Sequence, residues 1–131
     1  MGQPAAKQGD QIVGVDTHII MIPSPGGPVP TPLPHPFSGI IDGSLSSDVK
    51  IMGMAAATLN STATNMPPHI PQGGPFQVPP SNRGQIIMGS ATVLINGKGA
   101  ARNGDTANTC NDPADMPVGT VNAVGTVLIG G

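Results

Sequence analysis

The sequence predicts an all-β fold, built from three short β-meander repeats set around one axis with pseudo-threefold symmetry. Three observations predict it. Ile86–Asp105, IIMGSATVLINGKGAARNGD, spells a complete meander. Residues 43–63 repeat its pattern, and the two chain ends carry the halves of a third copy.

Within the complete copy, Ile86-Ile87-Met88 reads as a short strand and Gly89-Ser90-Ala91 as a turn. Thr92-Val93-Leu94-Ile95 follows as a second strand, rich in β-branched residues. Asn96-Gly97 accepts the positive φ angles of a two-residue hairpin turn. Gly99-Ala100-Ala101-Arg102 runs back as a third strand with very small side chains, and Asn103-Gly104-Asp105 closes the unit.

In the second copy, Val49 and Ile51 fall on Val93 and Ile95, Gly53 on Gly97, and Ala56-Ala57 on Ala100-Ala101. The third copy is split. Gly125–Gly131 matches Ala91 through Gly97, and Pro4-Ala5-Ala6-Lys7-Gln8-Gly9-Asp10 resumes at Gly99 and matches through Asp105. The chain ends are therefore expected to meet and complete one meander, which removes two free sheet edges.

The AAxxGD segments, Ala5–Asp10 and Ala100–Asp105, resemble the PAAR-repeat motif, and SATVLINGKGAARNGD resembles the longer pattern around it. The resemblance covers nearly all of residues 1–131, read as a single domain without an extra effector domain. Pro-rich segments near 22–38 and 66–81 are its looser insertions. It implies a small cone-shaped fold that caps and sharpens the trimeric β-helical spike of a contractile injection system, such as type VI secretion or a phage-like particle. The implied partner is a trimeric VgrG-like hub, with one copy of this chain per trimer, and effector cargo is a further partner. The second copy departs from the motif: Ala56-Ala57-Thr58-Leu59-Asn60-Ser61 lacks both the basic residue and Gly-Asp. The motif's turn geometry is therefore not carried onto residues 58–61, whose geometry the sequence leaves open.

Composition bounds the answer independently. Gly (19) and Pro (16) reach the level at which disorder competes with folding. Against disorder stand a charged fraction of only 9% and the aliphatic strand-like runs. With Phe37 and Phe76 as the only aromatics besides histidine, the core must be thin and aliphatic, so something else has to add cohesion. A net charge of −2 with five scattered basic residues gives no footprint for nucleic acid. No apolar run suits stable membrane insertion, and the first residues lack a signal peptide's apolar stretch. The expected location is the bacterial cytoplasm, with delivery outward at the tip of the particle.

Taken in order, residues 11–22 alternate as a strand. Val29–Pro36, VPTPLPHP, has proline at every second position and reads as a stiff extended rod, with a ligand for a Pro-recognising domain or a spacer as the alternative. His35 sits between two of those prolines, and His69 has a similar setting in Met66–Pro71. His18 lies 13 residues beyond Ala5, His69 lies 13 beyond Ala56 and Cys110 lies 10 beyond Ala100. Each repeat thus delivers one ligand toward the axis, and His35 is free to supply a fourth. His18, His35, His69 and Cys110 are every histidine and the only cysteine. Three imidazoles and a thiolate make a closed tetrahedral zinc site, structural rather than catalytic. The family resemblance supports the set, with Zn2+ preferred over iron.

Catalytic patterns are missing: there is no HExxH, no GxSxG, and Gly97-Lys98 is followed by glycine rather than Ser or Thr. The seven aspartates are expected to bond local backbone in turns. The expectation is a non-enzyme. The alternative is a small metal-dependent enzyme or effector, in which water replaces one of the four ligands.

Overall fold

The protein's structure is a computed structural model that describes residues 2–130. Among these residues it is all-β, with no helix, and so with no helix long and apolar enough to cross a membrane. Twelve strands are present: β1 (Gln3–Pro4), β2 (Gln11–Ile22), β3 (Val29–Gly43), β4 (Lys50–Ile51), β5 (Met54–Ala55), β6 (Thr62–Asn65), β7 (Arg83–Ile86), β8 (Leu94–Ile95), β9 (Lys98–Gly99), β10 (Thr106–Thr109), β11 (Met116–Asn122) and β12 (Leu128–Ile129).

Six strands close into a barrel in the order β10-β11-β2-β3-β6-β7, and β4-β5, β8-β9 and β1-β12 form three separate antiparallel hairpins. Each of three sectors therefore contributes one pair of barrel strands and one small hairpin. The third hairpin joins the two ends of the chain, with Gln3 opposite Ile129 and Pro4 opposite Leu128. The expected match of Gly131 to Gly97, and any contact of Met1, lie outside the described residues.

The alanine pairs explain how three sectors share an axis. The Ala6 N–H donates to the Ala101 carbonyl (2.9 Å), Ala101 to Ala57 (3.1 Å) and Ala57 back to Ala6 (3.0 Å), a closed ring of three backbone hydrogen bonds. All three alanines are fully buried. Three backbones this close leave room for a methyl group and little more, so the motif needs small side chains here. On one side of the ring, Ala5, Ala56 and Ala100 pack with Ile51, Ile95 and Ile129 from the three hairpins. On the other side, Ile12, Ile41, Ile86, Val121 and Phe37 fill the barrel. Gly39 makes the space for Phe37, since a Cβ there would lie 2.7 Å from the ring.

The turn after each alanine pair is also threefold, including the copy whose motif is worn. The Lys7 N–H donates to Asp10 Oδ2 (3.1 Å) and the Arg102 N–H to Asp105 Oδ2 (2.8 Å); in the second copy the Thr58 N–H donates to Ser61 Oγ (2.9 Å). Gly9 (φ 93°), Asn60 (φ 76°) and Gly104 (φ 91°) all take the left-handed conformation. The worn motif leaves the geometry of residues 58–61 open in the sequence, and the structure gives them the same turn. Asparagine tolerates positive φ and serine supplies the same acceptor.

Three strand assignments shift. The first strand of the complete copy stops at Ile86, and Met88 is exposed. Only Leu94–Ile95 and Lys98–Gly99 pair as strands in the hairpin; the Ala100 N–H still donates to the Val93 carbonyl (3.0 Å), and Ala101 turns to bond Ala57 at the axis. Val29–Pro36 is extended as expected, and it pairs residue by residue with β2 rather than standing alone. Over this stretch β2 is its sole strand partner, so Pro30, Pro32, Pro34 and Pro36 turn their missing N–H groups to the free edge. Past Val13 on β2 the barrel pairing with β11 ends and the β2–β3 ribbon continues. The closed wall of the barrel thus gives way there to a two-stranded ribbon.

Candidate metal centre

The polar cluster lies on the ribbon side of the barrel core, where alternation along β2 sets Asp16, His18 and Ile20 on the buried face. His35, on the buried face of β3, is directly opposite Asp16 in the register. His69 arrives from the loop after β6, its N–H donating to Asn82 Oδ1 (2.8 Å) with Asn65 Nδ2 3.3 Å from its Nδ1. Cys110 follows β10 and is fixed by its N–H donating to the Arg83 carbonyl (3.2 Å). Three sectors therefore converge on one point.

Ligand atoms of Asp16, His18, His69 and Cys110 all lie within 4.8 Å of one another. Asp16 Oδ2 is 2.7 Å from His69 Nε2, 3.3 Å from Cys110 Sγ and 3.9 Å from His18 Nε2, while Cys110 Sγ is 3.6 Å from His18 Nε2. Zinc bond lengths to nitrogen, oxygen and sulfur imply ligand separations of about 3.3–3.8 Å in a tetrahedron. Both Cys110 distances fall in that range, while the Asp16–His69 contact is a hydrogen bond that an ion between them would have to part. The group is compatible with a structural metal. Asp16 is completely buried, and its Oδ1 accepts from Thr109 Oγ1.

The structure brings the sequence-predicted residues His18, His69 and Cys110 into this group. His35 borders it: its ring stands edge-on to His18 (5.4 Å between centroids) and to His69 (5.5 Å). Its Nδ1 lies 2.9 Å from the Leu33 carbonyl oxygen, an acceptor, which leaves Nε2 uncommitted. Phe76 covers both His18 and His35 (5.8 and 5.6 Å).

Sequence reasoning missed Asp16 by assigning the aspartates to turns. Asp10 and Asp105 do bond local backbone, with ion pairs to Lys7 (3.1 Å) and Arg102 (2.9 Å). Asp16 instead sits within a strand. The available signal was its place two residues before His18, on the same face of an alternating segment.

Burial shapes the electrostatics. It lowers the pKa of His18, which Asp112 and Asp16 oppose and which His69 and His35 reinforce. Burial also pushes the Cys110 thiol up to about 12, helped by the neighbouring Asp16 carboxylate. A metal at this point would have to displace a firmly held thiol proton.

A family model described as PAAR motif matches residues 21–108 and again 77–131, together covering most of the sequence. No curated protein matches the chain significantly. Two overlapping matches are what a repeated motif produces, and the ring of alanine pairs is its structural counterpart. The chain belongs to the PAAR-motif family.

Proposed function

We propose that this protein caps the trimeric β-helical spike of a contractile injection system and gives it a point. The observation that carries this reading is the hydrogen-bonded ring Ala6–Ala101–Ala57, which arranges three like hairpins around one axis. A trimer ends in three equivalent strand edges and apolar patches. A single chain can meet all three at once only with a threefold pattern of its own. The hairpins supply it: Val49, Val93 and Val127 are equivalent and partly exposed, and Leu94 and Leu128 are well exposed beside the buried isoleucines. Membership of the PAAR-motif family supports a spike-tip role.

The point itself is held in this reading by one zinc ion on His18, His35, His69 and Cys110, with Asp16 beside it. Zinc plus one thiolate leaves a net positive charge, and a buried Asp16 carboxylate neutralises it, which a low-dielectric site requires. When bound, the ion supplies cohesion that a thin aliphatic core lacks; structural zinc is worth on the order of 10–16 kcal/mol in small metal-dependent folds. The role is mechanical rather than enzymatic. Assembly takes place in the bacterial cytoplasm, followed by delivery outward on the spike.

Co-expression with a trimeric spike protein of VgrG type tests the reading. A complex with one chain and one zinc per trimer is expected. Failure to bind, or three chains per trimer, refutes the cap; a metal that exchanges rapidly, with hydrolytic activity, favours the enzyme alternative.

A further inference from the structure

We infer that Asp112 is a positioning residue for the metal centre: its carboxylate holds the Nδ1–H of His18 and so turns Nε2 toward the ion. The inference rests on the zinc reading above and adds to it a residue that contacts no metal. His18 is almost completely buried, and its Nδ1 has no hydrogen-bond partner. An unpartnered ring nitrogen in such a place is costly. The carboxylate beside it is that of Asp112, with Oδ2 at 3.5 Å, a small side-chain adjustment from a hydrogen bond.

Asp112 is built into that position from both sides of His18. Its backbone N–H donates to the Thr17 carbonyl (2.8 Å) and its Oδ2 accepts the Ile19 N–H (2.8 Å). Its neighbour Asn111 reinforces the clamp, with Oδ1 accepting the Thr17 N–H (2.6 Å). The segment Cys110-Asn111-Asp112 thus delivers a thiol to one side of the imidazole and a carboxylate to the other. Nε2 faces Cys110 Sγ at 3.6 Å. A neutral histidine carries one ring proton, so a proton fixed on Nδ1 leaves the Nε2 lone pair free to coordinate.

The Asp112→Asn variant separates this role from a merely structural one. Asparagine keeps an oxygen for the Ile19 N–H and loses the charge that strengthens the histidine as a ligand. Competition for Zn2+ against a chromophoric chelator should show about a 10–100-fold loss of affinity. Nitrogen NMR of His18 should show the Nδ1–H form in the parent chain and its loss or mixing in the variant. Unchanged zinc competition in a folded variant overturns the proposal, as does an Nδ1 without a proton in the parent chain. A chain that binds no zinc refutes the metal reading and this proposal with it, whereas a chain that binds zinc tightly but carries no proton on His18 Nδ1, or keeps its affinity in the Asp112→Asn variant, overturns the proposal alone.

Discussion

At Cys110 the buried thiol, pushed up to about 12, means that a metal binding there would have to expel a proton. Zinc affinity should therefore fall by about tenfold for each unit of pH lost, since one thiol proton competes with the ion. Chelator competition at several pH values checks this. His18 adds to the trend in the folding equilibrium. Its folded pKa lies below the ordinary 6.5 because of burial. Below that value the unfolded chain takes up a proton that the folded chain resists. The stability from this group is fully present above 6.5 and is lost as pH falls from there through the lower folded value, which denaturant titrations at pH 8 and 5 should reveal. Cys110→Ser keeps the size of the side chain and removes the soft ligand. It is expected to abolish tight zinc retention and to lower stability by several kcal/mol, measured as melting temperature with metal content alongside.

At the scale of the element, the three turns after the alanine pairs solve one problem with two chemistries. Asp10 and Asp105 accept a backbone N–H and neutralise Lys7 and Arg102. Ser61 accepts the Thr58 N–H and also donates to the Ser44 carbonyl (2.8 Å), with no cation needed. Restoring the motif by Ser61→Asp should therefore destabilise the protein. It puts a carboxylate in a fully buried place, facing a carbonyl oxygen, with threonine where the other sectors have a base. A loss of about 3–5 kcal/mol is expected by analogy with a buried charge left unpaired. Adding Thr58→Arg should recover part of it; thermal melts of the single and double variants decide. The exchange of Gly-Asp for Asn-Ser is readable from sequence only when the partner residue is read along with it.

For the whole molecule, the proposed cap makes the hairpin face the part that a spike would meet. Leu94 and Leu128 are 61% and 58% exposed, while Ile95 and Ile129, one residue further on, are buried against the axis. Lys50 occupies the same position in the remaining sector, so the face is threefold in shape and not in chemistry. Leu94→Asp with Leu128→Asp should abolish capture of a trimeric spike in a pull-down. The melting temperature should hardly change, because exposed substitutions seldom cost more than about 0.5 kcal/mol. Loss of spike binding together with unfolding would instead mark these leucines as structural.

Much of this architecture is local chemistry and could be read directly. Alanine pairs, positive-φ turn residues and alternating strands recur at matched offsets, and each dictates its own short-range geometry. The split third copy, with Gln3–Pro4 paired to Leu128–Ile129, follows from the same offsets. Three of the four predicted metal ligands meet at one point for that reason too. The remainder depends on which groups lie across the barrel. Asp16 and Asp112 look like any other aspartate until folding buries one among the candidate ligands and sets the other, from the loop after β10, behind His18. The proline run became an edge strand because β2 lay alongside it. Repeats determined the number and shape of the sectors; only their closure decided which side chains face one another, since burial and charge pairing are properties of neighbours in space.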